Sequence, residues 1–72
     1  MQIIFTKHVL ERLLERGINK ETLIDILNSP DYIKDSFGKR KVACKTIDKK
    51  WNVVFTVEEN KLVVLTVYFD YA

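Results

Sequence analysis

Seventy-two residues, 47% of them apolar, with two Gly and one Pro, are the composition of one folded domain and exclude a disordered or low-complexity chain. The formal net charge of +2 is too small to argue for a nucleic-acid partner, so only the placement of charge carries information. No apolar run approaches the roughly 18 residues needed to span a bilayer, Met1-Gln2-Ile3-Ile4-Phe5 lacks the basic start and cleavage site of a signal peptide, and one Cys excludes an internal disulfide or a cysteine metal cluster.

A lone thiol points to a reducing, cytoplasmic setting. Lys outnumbers Arg three to one and Gln is nearly absent, which leans toward a thermophilic source. The first strong signal along the chain is a helix. Thr6 is a good N-cap, Phe5 and Leu10 hold the two positions of a hydrophobic staple, and Gly17 supplies a left-handed stop. Between them Val9, Leu10, Leu13 and Leu14 recur at helical spacing. A second helix repeats the grammar: Asn19 caps, Ile18 and Leu23 staple, and Leu23, Ile24, Ile26 and Leu27 form the buried stripe. Asn28-Ser29-Pro30-Asp31 ends it, because the residue before proline is pushed out of helical space.

Beyond Pro30 the period becomes two. Residues 32–35 read as a short strand and Ser36-Phe37-Gly38-Lys39 as a turn. Residues 40–47, 51–58 and 62–69 are rich in β-branched and aromatic side chains, as strands should be. Residues 1–5 add a further edge strand. The short links around Lys49-Lys50 and Glu59-Asn60 demand antiparallel hairpins. The fold class is therefore α+β, with two N-terminal helices packed on an antiparallel β-meander of three to four strands, in a single domain over 1–72.

If both links are two-residue loops, Glu58 faces Lys61 and Asp48 faces Trp51. One sheet face then carries Val42, Cys44, Val53, Phe55, Val57, Leu62 and Val64, with Thr46, Thr66 and Tyr68 toward one end. This face is assigned to the helices. The other face carries Lys41, Lys45, Asn52 and Thr56, but also Ala43, Ile47, Val54, Val63, Leu65 and Val67. That is more apolar than a solvated face, which implies a cover: a second copy or another protein. A register slip of one residue would exchange the two faces.

The chain has no Gly-rich phosphate loop, no Ser nucleophile elbow and no ligand cluster at metal spacing, and it is too short for a dinucleotide-binding unit plus a substrate site; no cofactor or metal is expected. What remains is His8-x-x-x-Arg12-x-x-x-Arg16, a single stripe along the first helix. Arg16 falls near the edge of the apolar face and His8 almost opposite its centre. The first helical turn favours a neutral imidazole and attracts anions. A neutral His can accept a proton and two guanidiniums can clamp a phosphate, which are the parts needed to activate a ribose 2′-hydroxyl without metal. The same stripe, paired with Glu11 and Glu15, also reads as an ordinary solvated flank. Lys39, Arg40, Lys41 and Lys45 crowd the start of a strand, and the assumed register points Arg40 toward the helices. Thr66 and Tyr68 can offer hydroxyls to a phosphate, and Phe37, Trp51 and Tyr68 can stack bases. Cys44 alternates with apolar neighbours and reads as a small buried hydrophobe.

The string Phe5-Thr6-x-His8-x-x-x-Arg12-x-x-x-Arg16-Gly17-Ile18, then Asn28-Ser29-Pro30-Asp31 and the ending Val63-Val64-Leu65-Thr66-Val67-Tyr68, resembles domain-of-unknown-function family 4258 across nearly the whole chain. That family is thought to be related to the RelE/ParE toxin superfamily, in which two helices pack on an antiparallel sheet. Some members of the superfamily cleave RNA without metal, others bind protein targets, and antitoxins commonly wrap the fold. The resemblance implies a site made of His8, Arg12, Arg16, Arg40, Thr66 and Tyr68. The resulting expectation is a metal-independent ribonuclease-like domain of the toxin type, with His8 as acid/base and the arginines on phosphate, converging at one end of the helix–sheet interface. The rival expectation is a non-catalytic protein-binding module that meets an antitoxin, a target or a second copy through the apolar outer sheet face. A third is a passive RNA-binding domain.

Overall fold

Two side-chain caps and a left-handed glycine set the helix boundaries in the computed structural model, which describes residues 2–70. In chain order the elements are β1 (Gln2–Phe5), α1 (Lys7–Arg16), α2 (Lys20–Asn28), β2 (Tyr32–Asp35), β3 (Lys41–Ile47), β4 (Lys49–Glu58) and β5 (Lys61–Asp70). The Val9 amide donates to Thr6 Oγ1 at 3.3 Å, and the Thr22 amide donates to Asn19 Oδ1 at 3.0 Å. Each bond satisfies one of the amides that a helix start leaves without a partner. Gly17, at φ 65°, stops α1 as the sequence predicts.

The strands form one five-stranded sheet in the order β1-β5-β4-β3-β2. From β2 to β5 every neighbour is antiparallel, but β1 runs parallel to β5, pairing Gln2 with Lys61 and Phe5 with Val64. The expected meander of three to four strands is thus only part of the sheet. The edge strand predicted at 1–5 is present, with Met1 outside the described residues, but its parallel direction has no signal in the sequence. A parallel neighbour needs a crossover longer than any hairpin. Here α1 and α2 carry the chain from one edge of the sheet to the other, across a single face.

That face holds the main core. Val9 and Leu13 of α1 and Leu23 and Ile26 of α2 pack on Ala43, Trp51, Val53, Phe55, Val64 and Val67. Each large side chain so buried is worth about 1.5–3 kcal/mol. Leu14, expected in the α1 stripe, is instead 84% exposed. The helix is narrowly amphipathic, and the sheet reaches only the flank carrying Val9 and Leu13.

Two features set which residues reach that core, and both depart from the predicted register. Glu58 does face Lys61, across the Glu59-Asn60 turn whose two residues both have positive φ. In the other hairpin the chain reverses at Asp48 alone, at φ 65°, so Ile47 faces Lys49 and Trp51 faces Lys45. Lys49 and Lys50 are strand residues, not loop residues. The Trp51 indole N–H closes the reversal by donating to the Ile47 carbonyl at 3.2 Å. The second feature is a bulge in β5. Phe55 pairs with Val64 but Val54 pairs with Thr66, leaving Leu65 as the extra residue. Beyond it the alternation inverts. Ala43 and Val67 therefore belong to the helix side, while Val42, Cys44, Thr66 and Tyr68 turn to the helix-free side, contrary to the expected assignment.

Candidate functional site

On the helix-free face the register aligns side chains in rows across the strands. Tyr32, Cys44, Asn52 and Tyr68 make one row across β2, β3, β4 and β5. Lys34, Val42, Val54 and Thr66 make the next, and Thr46, Lys50 and Asp70 flank the first row on its other side. Alternate residues of a strand share a face at a spacing of about 6.6 Å, so the rows repeat at that interval.

The centre of this face is a small sealed network. Asn52 is 1% exposed, although no helix covers it. Its Nδ2 donates to Asp70 Oδ2 at 3.2 Å and to the Lys50 carbonyl at 3.3 Å, and the Cys44 thiol donates to Asn52 Oδ1 at 3.3 Å. Cys44 is buried, as its alternation with apolar residues predicts. Around the network stand side chains that reach solvent: Tyr32 at 45% and Tyr68 at 39% exposed. The Lys50 ammonium lies 5.2 Å from the Tyr32 ring centroid. Hydrogen bonding and charge at Tyr32 hold Lys50 above the ordinary lysine value of 10.5, with burial opposing them and Cys44 and Asp70 each adding less than burial removes. Lys50 is thus a firmly cationic group.

Two hollows flank the β2–β3 turn. One, of about 650 Å³, is lined by Phe37, Lys39, Arg40, Thr56, Glu58 and Leu65. The other, of about 430 Å³, is lined by Lys34, Ser36, Phe37, Val42 and Tyr68, with Asp35. Phe37, 88% exposed, belongs to both.

The predicted site residues are therefore divided between the two sides of the sheet. Arg40, Thr66 and Tyr68 lie on the helix-free side. His8, Arg12 and Arg16 lie on α1, which packs against β5 on the opposite side. His8 and Arg16 are exposed and Arg12 is half-buried. The Arg16 guanidinium sits 5.0 Å from the Phe69 centroid, a ring that Lys49 also approaches, at 4.1 Å. The expected convergence of His8, Arg12 and Arg16 with Arg40 does not occur, because the Asp48 reversal sets Arg40 on the other face. Sequence reasoning passes over Tyr32, Lys50 and Glu58 as site members. It places Asn52 on the outer face but finds no role for it. The available signal is an Asn between Trp51 and Val53 in an otherwise apolar run.

The apolar members of the outer face differ from those expected, with Val42 and Cys44 in place of Ala43, Ile47 and Val67. Val42 and Val54 are buried among their neighbours, in a small cluster with Cys44 and Leu65. Among the described residues no group of three or more His, Cys, Asp or Glu side chains is placed to hold a metal ion. No helix of the described residues is long and apolar enough to cross a membrane.

A family model described as Domain of unknown function (DUF4258) matches residues 5–69. No curated protein and no solved structure matches the chain.

Proposed function

The chain belongs to domain-of-unknown-function family 4258, and we propose that it engages RNA through the helix-free face of its sheet. The observation that carries this reading is the row of Tyr32 and Tyr68 about a rigid Asn52 centre, bracketed by the exposed or half-exposed cations Lys50, Lys34 and Arg40. Cations that follow a backbone, aromatic faces for bases and hydroxyls from Thr56, Thr66 and the tyrosines are the parts of a nucleic-acid surface built on a sheet. Of the acids around this face, the Asp70 carboxylate accepts from Asn52, while Asp35 and Glu58 line the two hollows. Kinship with the RelE/ParE toxins belongs to the same proposal. It is supported by a helical pair on one side of an antiparallel run of strands.

Fluorescence anisotropy with a labelled RNA hairpin bearing a single-stranded tail tests the reading. Wild type binds at low salt. Arg40→Ala and Lys50→Ala each weaken binding and lower the salt slope by about 0.7 for each single-strand phosphate that is no longer neutralised. His8→Ala leaves it unchanged. No binding by wild type, or a loss through His8 and Arg12 variants instead, overturns the proposal.

RNA cleavage is a second reading, favoured by the presence of Glu58 with Arg40, Lys39 and Thr56 around one hollow. A carboxylate beside guanidinium and ammonium groups can take a 2′-hydroxyl proton while the cations hold the phosphate. Incubation in chelator with Glu58→Gln as control decides it: intact RNA with wild type ends this reading and leaves binding standing.

A further inference from the structure

Phe37 has no place in the core. It sits in the β2–β3 turn, 88% exposed, where it lines both the Arg40 hollow and the Lys34–Tyr68 hollow. The turn that carries it is tied. The Ser36 amide donates to the Arg40 carbonyl at 2.9 Å, the Arg40 amide donates to the Phe37 carbonyl at 3.1 Å, and Gly38 takes the left-handed conformation at φ 60° that lets the chain reverse. Lys41 Nζ bonds Asp35 Oδ1 at 2.8 Å across the base of the same hairpin. A large apolar ring is thus held in water at a defined place, between hollows whose walls carry Lys34, Lys39 and Arg40 against Glu58 and the Lys41-paired Asp35.

From this we infer that the ligand of the helix-free face is single-stranded RNA and that Phe37 is a stacking platform for one of its unpaired bases. The inference rests on the RNA reading above and adds to it a strandedness and a recognition residue. The cations around the ring outnumber its two carboxylates, one of them neutralised by Lys41, and fit phosphates, and the ring itself fits a nucleobase, so the two halves of a nucleotide meet complementary surfaces within one hairpin. Tyr32 and Tyr68 stand in a row at the far side of Lys34, on the same face. Successive bases of an extended strand then meet rings in turn as the backbone passes Arg40, Lys34 and Lys50. A duplex presents phosphates but keeps its bases stacked within itself, so it meets the cations and leaves the three rings unused.

The test uses the whole chain and three labelled probes of equal length: a single strand, the same sequence as a full duplex, and a single strand whose central riboses are abasic. The single strand binds at least about 10-fold more tightly than the duplex or the abasic strand. Phe37→Ala weakens the base-bearing strand about 5- to 100-fold, the range for removal of one stack, and leaves the abasic strand unchanged. Phe37→Trp restores binding. Equal affinity for all three probes, or a Phe37→Ala protein that binds the single strand as wild type does, overturns the inference while the RNA reading survives. Failure of wild type to bind any probe overturns both, and a Phe37-dependent change in self-association seen by sedimentation instead reassigns the ring to a protein partner.

Discussion

Asn52 is the side chain through which the helix-free face is organised. Its amide links the Cys44 thiol, the Lys50 backbone and the Asp70 carboxylate, and all of these bonds lie in or beside a buried setting. Replacing it with Ala leaves Asp70 without that donor and the Cys44 thiol with only the longer contact to the Val42 carbonyl, at 4.0 Å. Removing one partner of a buried bond costs about 1–3 kcal/mol; urea denaturation of Asn52→Ala should show a loss in that range. The caps set a smaller scale. Thr6→Ala should cost about 1 kcal/mol, whereas Leu14→Ser, at a site that meets almost nothing, should fall within about 0.5 kcal/mol of wild type. The helix starts and stops are readable because caps are local chemistry: Thr6, Gly17 and Asn19 act within four residues of themselves. The fate of Leu14 is not, since it depends on how much of α1 the distant β5 can reach.

Among the elements, the hairpins separate what the sequence discloses from what it withholds. The strands appear where β-branched residues alternate, and the Glu59-Asn60 turn has the expected register. Yet one left-handed Asp48 and one surplus residue at Leu65 decide which face Arg40, Thr66 and Tyr68 occupy. Lys49-Lys50 offers no turn chemistry against Asp48, and a bulge has no required residue when both of its candidates are compatible with either face. The site is therefore legible as residue types before it is legible as a place. Deleting Leu65 is a direct test of this account. It makes Val64 and Thr66 consecutive, as their partners Phe55 and Val54 already are, so the bulge goes while Thr66 and Tyr68 keep the helix-free face and Val67 the core, and thermal melting should stay cooperative. The β2–β3 edge carries a titration of its own. The Lys41 hydrogen bond, and then its charge, hold Asp35 below the usual carboxylate value of 3.8. Stability from a lowered carboxylate is complete above that usual value and fades as pH falls through the lower folded one. Hydrogen exchange at the β2 amides should therefore quicken in strong acid, and Lys41→Ala should remove that step.

For the domain as a whole, the two faces of the sheet have different occupations. One is filled by α1 and α2; the other has a thin apolar seam under tyrosines and lysines. Relative to the expected outer face, the register moves Ala43 and Val67 into the core and brings Val42 and Cys44 out in exchange. A face whose cations are Lys50, Lys34 and Arg40 makes a particular prediction for pH. Lys50 is held above 10.5, so its charge is fully present across neutral pH and is lost only as pH rises through that elevated value. RNA affinity at constant ionic strength should be flat from about pH 6 to about pH 9. A fall over the imidazole range would return the function to the α1 stripe and to His8.

The pairing of β1 with β5 has a consequence for synthesis. Gln2 of β1 pairs with Lys61 of β5, so β1 meets its neighbour only after both helices and the three strands between them have emerged from the ribosome. Until then Ile3 and Phe5 have apolar side chains and no ladder to join. During synthesis β1 stays open and sticky until β5 emerges to close it.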